Sequence, residues 1–309
     1  MENCRICKEK FEYLAAFSRH LKKEHGLSKE KYYEKHFPKQ DLLTGEKIQF
    51  KDRDEYFLLP FASRGNLRKW AKKTEDIDRG QKIILDYYKH RKWKKDMANS
   101  LSQVELKSLN FLYKEQIYRF FRTDWDLVHQ LNLKERFHIH LQDKVKINKG
   151  IEIAVDSREN TPLDFNENEK TNTKLDYGDY VPLGDNFHNI FFERKSDADF
   201  VSSLGKSVER IKEEVKRAAE FNAYIVFIVE RPLKVMLNFQ YTYLKRFVKA
   251  TPAFVFNNVR ELMQENDNVQ FLFLEDREEC ERAILAISSL GGEAKVIDLQ
   301  YAYDMGRLI

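Results

Sequence analysis

Three short acidic clusters hold the residues best suited to chemistry: Asp156-Ser157-Arg158-Glu159, Gly178-Asp179-Tyr180 and Glu193-Arg194-Lys195, with Asp199 four residues beyond Lys195. An Asp followed on a neighbouring strand by Glu-x-Lys is a minimal set for metal-assisted phosphodiester hydrolysis. Asp179 and Glu193 offer the hard oxygen donors that Mg²⁺ takes, one or two carboxylates with the remaining positions left to water. A cation held in this way lowers the pKa of a bound water and neutralises charge developing on a phosphate. Lys195 follows Glu193 by two residues and so shares its face of an extended strand, where an ammonium orients that water or stabilises the oxyanion. Taken alone, Asp…Glu-x-Lys also fits ordinary surface ion pairs.

A second constellation stands at the N-terminus. Cys4-x2-Cys7-x12-His20-x4-His25, with Phe11 and Phe17 between the pairs, has the spacing of a zinc site. Two thiolates on a hairpin and two imidazoles one helical turn apart place four donors tetrahedrally, over a miniature core of the two phenylalanines. The segment resembles the two-cysteine two-histidine zinc fingers. In such fingers the base-reading helix positions would fall on Tyr13, Ala15, Ala16 and Arg19, and alanine makes no bidentate hydrogen bond to a base. Structural or non-specific docking is therefore expected of the finger, with phosphate contacts from Arg19, Lys22 and Lys23.

Acidic groups so distant in sequence meet only if strand ends bring them together. Ile151–Val155, Tyr180–Leu183, Asn189–Glu193, Ala223–Val229, Val269–Leu274 and Lys295–Leu299 are short apolar or alternating runs and predict six strands. Leu204, Val208, Ile211, Val215 and Ala218 recur at helical spacing and predict one helix from about Asp199 to Phe221. Asp276–Leu290, closed by Gly291 and Gly292, predicts another. Strands interleaved with helices indicate an α/β domain whose sheet is covered on both faces. Upstream, Ile77–Lys95 and Gln103–Arg122 carry helical periodicity, and Ile48–Phe50 with Tyr56–Leu59 read as a small hairpin beyond the turn at Thr44-Gly45-Glu46. His138 and His140 alternate as strand residues do and suit packing or exposure better than a metal. Cys280 reads as a plain core or surface thiol.

The expected organisation is thus a finger over 1–37, a basic and mostly helical region over 38–150, and an α/β domain over 151–309. Charge divides the chain the same way: residues 1–150 carry 34 Lys and Arg against 22 Asp and Glu, a net +12, while residues 151–309 carry 20 against 28, a net −8. A basic half attracts a polyanion, and an acidic half tolerates one when its carboxylates hold divalent cations. In the basic half, Arg91, Lys92, Lys94 and Lys95 surround Trp93, as a stretch would that follows a phosphate backbone while the indole stacks on a base; a solvated helix with a buried Trp fits equally. Lys245, Arg246 and Lys249 form a further basic cluster. With 42% hydrophobic and 34% charged residues, and no apolar run near eighteen residues, neither a disordered tail nor a membrane-spanning helix is expected. A polar N-terminus and three cysteines, two of them in metal-site spacing, suggest a reducing intracellular compartment, the cytoplasm or, in a eukaryote, the nucleus.

The acidic motifs read together are more specific than any one of them. Ile153-Ala154-Val155-Asp156-Ser157-Arg158-Glu159, Gly178-Asp179-Tyr180 and Glu193-Arg194-Lys195-Ser196-x2-Asp199 resemble the nuclease domain of the XPF family of structure-specific endonucleases. That family's hallmark is Gly-Asp, a variable gap, then Glu-Arg-Lys with an Asp four residues after the Lys. Ser202-Ser203-Leu204 and Arg210-Ile211 fit the helix that follows, and the resemblance covers about residues 151–295. It implies a restriction-endonuclease-like α/β fold, a Mg²⁺ or Mn²⁺ ion surrounded by Asp156, Asp179 and Glu193, and a catalytic Lys195. Glu159 is then expected to support a second cation or the hydrogen-bond shell. Arg158 and Arg194 would orient the acids or grip the scissile phosphate, and Asp199 would buttress one of these cations; for these last three, structural ion pairs are an equal reading. Family members pair through their nuclease domains, so a homodimer is implied.

The tandem helix-hairpin-helix domain that usually follows the family's nuclease does not occur within these 309 residues. Duplex contacts are therefore expected from the basic half. The function these readings imply is a metal-dependent DNA endonuclease acting on branched or flap DNA in repair, recombination or mobile-element and phage DNA processing. The alternatives are a non-catalytic DNA-binding adaptor and a zinc-finger regulator.

Overall fold

The computed structural model describes residues 2–94, 97–121, 124–165, 168–239 and 250–309. Lys95, Lys245, Arg246 and Lys249 lie outside them. The chain divides into two compact units, Met1–His90 with Glu115–Phe121, and Arg91–Lys114 with Arg122–Ile309. No helix among the described residues is long and apolar enough to cross a membrane.

The first unit opens with a two-stranded hairpin, β1 Glu2–Asn3 and β2 Lys10–Phe11, followed by α1 Leu14–His25 and α2 Lys29–His36. Gly26, at φ 61°, ends α1 in the left-handed region, and Ser28 caps α2 by accepting from the Lys31 amide. Phe17 and Leu21 of α1 pack with Tyr32 and Tyr33 of α2 and with Ile48, Phe50 and Tyr56, so the hairpin and α1 form one corner of a larger aromatic core. The expected hairpin at 48–59 does not form. Asp52 accepts from the Glu55 amide at 3.0 Å and starts α3 Arg53–Leu58 instead, an N-cap that outweighs the short apolar alternation. Then come α4 Arg64–Lys73 and α5 Ile77–Trp93. The periodic stretch after residue 103 is broken by Asn110 at φ 55°, giving α6 Gln103–Leu109, which belongs to the second unit, and α7 Lys114–Ile117, most of which belongs to the first; α8 Asp124–Leu131 follows in the second unit.

The second unit is built on a six-stranded mixed sheet flanked by helices, in the order β4-β3-β5-β6-β7-β8. Its strands are β3 Ile153–Asp156, β4 Lys170–Thr173, β5 Tyr180–Pro182, β6 Ile190–Lys195, β7 Tyr224–Val229 and β8 Val269–Phe273. β5 runs antiparallel to β3 and β6, whereas β6, β7 and β8 are parallel. β7 is buried at all six positions, as a central strand covered on both faces requires. On one face Ile153, Phe192, Val226 and Ile228 pack against α13 Arg277–Leu290 and α14 Leu299–Asp304. On the other, Ile225, Phe227, Val229 and Phe273 pack against α9 Asp197–Gly205, α10 Val208–Glu220 and α12 Pro252–Glu265, while the short α11 Leu233–Met236 adds Leu233 and Met236. Each such apolar side chain contributes roughly 1.5–3 kcal/mol on burial.

Two sequence expectations change here. The sixth strand is β4, not Lys295–Leu299. Lys170-Thr171-Asn172-Thr173 is polar and exposed at every position, so an edge strand of this kind has no apolar period to betray it. Lys295–Leu299 instead spans the end of a 3₁₀ helix, Gly291–Val296, and the start of α14, where Asp298 caps the helix by accepting from the Tyr301 amide at 3.1 Å. Only Ile297 retains strand character, in a single bridge to Ile139; this bridge is also all that remains of the alternation around His138 and His140. The one helix expected from Asp199 to Phe221 is two, α9 and α10, separated at Lys206-Ser207 just after Gly205, although its apolar stripe runs through both.

Candidate active site

The ends of β3, β5 and β6 bring the acidic motifs of the second unit together. Asp156 ends β3 and its amide donates to the Asp179 carbonyl at 2.8 Å; the Asp179 amide donates to the Phe192 carbonyl at 2.7 Å. That approach requires the glycine before Asp179. Gly178 sits at φ +65°, and a Cβ there would lie 2.7 Å from the Phe192 carbonyl oxygen. Gly178→Ala is therefore expected to destabilise the domain by about 1–3 kcal/mol, read from the urea unfolding midpoint, because neither the backbone angle nor the neighbouring strand can yield.

The two-residue period of β6 separates its three motif residues. Glu193 and Lys195 point to one face, and the Lys195 ammonium donates to Glu193 Oε1. Arg194 points to the other, where it donates to Glu230 at 2.8 Å, Glu159 at 3.0 Å and the Thr161 hydroxyl at 2.9 Å. Arg277 of α13 reaches the same Glu230 oxygen at 3.0 Å and the Thr161 and Pro162 carbonyls. Arg194 thus ties the loop after β3 to the end of β7, and its partners hold its pKa above the usual guanidinium range despite burial. Burial acts to raise the Glu159 pKa, but the Thr161 amide and Arg194 hold it below the usual range. Asp199 accepts from the Ser196 hydroxyl at 2.7 Å in the first turn of α9.

Asp179 accepts from the Arg194 amide at 2.8 Å through Oδ2. Burial pushes its pKa up to about 7, and the neighbouring Glu193 charge adds to this. Across from β6, Glu214 of α10 is also raised, first by burial and then by Glu193, with Lys195 opposing. Glu214 was not singled out from the sequence, and neither was Glu230. Each lies far from the motifs along the chain and reads locally as any half-buried helix or strand-end acid.

Asp156 differs from these acids. Its pKa is held well below the usual carboxylate range, first of all by the Arg158 side chain. The oxygens of Asp156, Asp179 and Glu193 do not close to the 4.8 Å spacing found at the N-terminal cluster. Asp179 and Glu193 are hard, half-buried donors beside a single ammonium, and this donor set fits a divalent cation such as Mg²⁺ or Mn²⁺.

These strand ends lie within a stretch that matches a known family model. Residues 155–287 match the ERCC4 domain. That match lies wholly within the second unit. Solved structures similar to the chain include XPF from Aeropyrum pernix in complex with DNA, at 23% identity and a TM-score of 0.34, and XPF from Aeropyrum pernix, at 21% identity and 0.35. The alignments cover 46% and 45% of this chain, and 63% and 66% of those chains, less than two thirds of either. No curated protein matches the chain. Within the ERCC4 domain, Asp156, Glu159, Asp179, Glu193, Arg194 and Lys195 all stand at the ends of β3, β5 and β6 or in the loop after β3.

In the first unit Cys4, Cys7, His20 and His25 form a second donor cluster, the one group of three or more such donors within 4.8 Å among the described residues. Cys4 Sγ lies 3.5 Å from His25 Nε2, Cys7 Sγ 3.3 Å from His20 Nε2, and the two Nε2 atoms are 3.1 Å apart. Zn–S near 2.3 Å and Zn–N near 2.0 Å imply tetrahedral edges of about 3.3–3.8 Å, so the donor set is compatible with zinc. His20 Nδ1 faces Glu9 at 3.2 Å, which leaves Nε2 for a metal. Burial acts to raise the Cys4 pKa, but the Cys7 amide and His20 bring it down to about 6, while Cys7 is raised.

Among the expected DNA contacts, Arg19, Lys22 and Lys23 are exposed on α1. Trp93 is 86% exposed at the end of α5, so the buried-indole alternative does not hold. Lys94 is exposed beside it and Arg91 is half-buried. Lys92 is engaged, donating at 2.8 Å to the Leu131 and Asn132 carbonyls at the end of α8.

Proposed function

We propose that this chain is a divalent-metal-dependent DNA endonuclease that hydrolyses phosphodiester bonds, with branched or flap DNA as its preferred substrate and a homodimer as its active form. The observation that carries the reading is the convergence of Asp179, Glu193 and Lys195 from two strands of an ERCC4 domain, with Asp179 raised to about 7 by burial beside Glu193. Carboxylates forced together in this way favour a cation between them over two bare charges.

Asp179 and Glu193 would hold the cation, which when bound supplies an acidified water and charge neutralisation at the phosphate. Lys195, fixed by Glu193 on the same face of β6, orients the attacking water and stabilises negative charge on the phosphate oxygens. Arg194, on the opposite face, holds Glu159 and the loop that carries it. Cys4, Cys7, His20 and His25 would hold a structural zinc ion. Exposed Trp93 and Lys94, with Arg19, Lys22 and Lys23, offer stacking and phosphate contacts of the kind non-specific DNA binding uses.

The test is incubation with end-labelled duplex, single-stranded, splayed-arm, flap and four-way-junction DNA, with Mg²⁺, Mn²⁺ or EDTA. Metal-dependent cutting is expected to fall at least about a hundredfold in Lys195→Ala, the scale of removing a group that stabilises developing charge. Binding of the whole panel without cutting, in either metal, would replace the nuclease with a DNA-binding adaptor.

A further inference from the structure

Asp156 and Arg158 enclose each other at the end of β3. The Asp156 side chain is 2% exposed, and both of its oxygens are occupied. Oδ1 accepts from the Arg158 amide at 2.7 Å and from Arg158 Nε at 2.8 Å; Oδ2 accepts from Arg158 Nη2 at 2.7 Å and from the Leu175 amide at 2.9 Å. A carboxylate has about four lone-pair sites, so this one is full. For Asp156 to ligate a cation it would have to release a bidentate guanidinium and leave a buried backbone N–H unpaired. Asp179 and Glu193 carry no such commitment. Each has one oxygen that accepts no hydrogen bond among the described residues: Oδ1 of Asp179 and Oε2 of Glu193.

The arginine is held equally firmly. Its Nη2 also donates to the Leu175 carbonyl at 2.9 Å, so Nε and both Nη2 hydrogens are spent on Asp156 and Leu175. The two hydrogens on Nη1 have no partner among the described residues, the side chain is 64% exposed, and the guanidinium lies within the field of Asp179 and Glu193. A planar cation locked along one edge, with two donors free on the other and a metal-binding pair of acids beside it, matches what a tetrahedral oxyanion needs from a protein.

We propose that Asp156 is a positioning residue for Arg158 and not a ligand of the divalent cation, and that Arg158 donates through Nη1 to a non-bridging oxygen of the substrate phosphate beside Asp179 and Glu193. The proposal rests on the nuclease reading above, and it departs from the metal-ligand role that the family resemblance implies for Asp156. Leu175, outside every sequence motif, is part of the device, because its amide and carbonyl fix the two ends of the fork.

The experiment compares the full chain with Asp156→Asn, Arg158→Ala, the double variant and Asp179→Asn, measuring Mn²⁺ affinity calorimetrically and kcat and KM on the best-cleaved DNA. Asp156→Asn and Arg158→Ala are expected to bind Mn²⁺ within about threefold of wild type, to lose about 10- to 100-fold in kcat/KM, and to show no further loss when combined, since they remove one device. Asp179→Asn is expected to lose Mn²⁺ affinity more than tenfold. An Asp156→Asn protein that loses Mn²⁺ as Asp179→Asn does, or an Arg158→Ala protein that cleaves as wild type, would overturn the proposal. If Asp156→Asn does not fold, Arg158→Ala decides, because it leaves the aspartate in place. If wild type binds Mn²⁺ but cleaves nothing, the nuclease reading fails separately, and the Asp156→Asn affinity still determines whether Asp156 is a ligand.

Discussion

Asp179→Asn is expected to abolish metal-dependent cleavage and at the same time to stabilise the metal-free protein above neutral pH. The Asp179 carboxyl is pushed up to about 7 by burial and then by Glu193, against an ordinary value of 3.8. A folded-state pKa above the unfolded one means that the folded protein binds more protons between about pH 4 and 7. The stability this contributes is complete below pH 4 and is lost as pH rises through 7. Above that, the metal-free fold carries an ionised carboxylate pressed against Glu193. The amide is isosteric, carries no charge and still accepts from the Arg194 amide, so relief on the order of 1–3 kcal/mol is expected at pH 8.

Thermal unfolding in EDTA at pH 5 and pH 8 measures this. The variant is expected to unfold at a higher temperature than wild type at pH 8 and to lose that advantage at pH 5. Added Mn²⁺ reverses the order, because ligand binding stabilises only the protein that retains the donor. Equal midpoints at pH 8 would mean that Asp179 carries no buried charge worth relieving. The same linkage predicts that metal binding releases a proton at pH 6 and little at pH 8, a difference that calorimetry in buffers of different ionisation enthalpy detects.

Chelation is expected to unfold the N-terminal unit while leaving the ERCC4 domain folded. Cys4 belongs to the same core as Phe17, Leu21, Tyr32, Tyr33, Ile48, Phe50 and Tyr56, so the donor cluster is continuous with the packing of some sixty residues. The hairpin between the cysteines is tied to α2 as well. The Arg5 amide donates to the Tyr32 hydroxyl at 2.7 Å, the Arg5 guanidinium donates to the His36 carbonyl at 2.8 Å, and it stacks on Phe37 at 3.8 Å. A structural zinc contributes about 10–16 kcal/mol in isolated finger peptides, far more than so small a core supplies. Without the metal, the thiols and imidazoles at 3.1–3.5 Å have nothing to hold them. Hydrogen exchange after phenanthroline treatment is expected to show protection lost over α1, α2 and residues 41–61, with β6, β7 and β8 still protected. A Cys4→Ser protein should behave the same way without chelator. Protection retained across α2 would show that the core stands without zinc.

What the sequence determined by itself was everything that local geometry dictates. The Cys and His spacing needs only a hairpin and one helical turn to close. The apolar run Tyr180–Leu183 opens directly after Gly178-Asp179, and the two-residue step from Glu193 to Lys195 puts both on one face of any strand. The long apolar runs of β7 and β8 announce buried strands without help from their neighbours. Tertiary structure alone decided the rest, because the deciding contacts join residues whose local sequence is silent. β4 is polar throughout and becomes a strand only because β3 offers it an edge. Lys295–Leu299 has strand-like alternation, yet Asp298 spends its carboxylate capping α14 and pairing at 2.8 Å with buried Lys114. Lys92 looks like a DNA contact until the end of α8 takes its ammonium. Asp156 has the type and position of a metal ligand, but Leu175 supplies the amide that fills its last acceptor site. A carboxylate's identity is written in the sequence, whereas the number of lone pairs it has left for a metal depends on which backbone N–H groups the fold delivers to it.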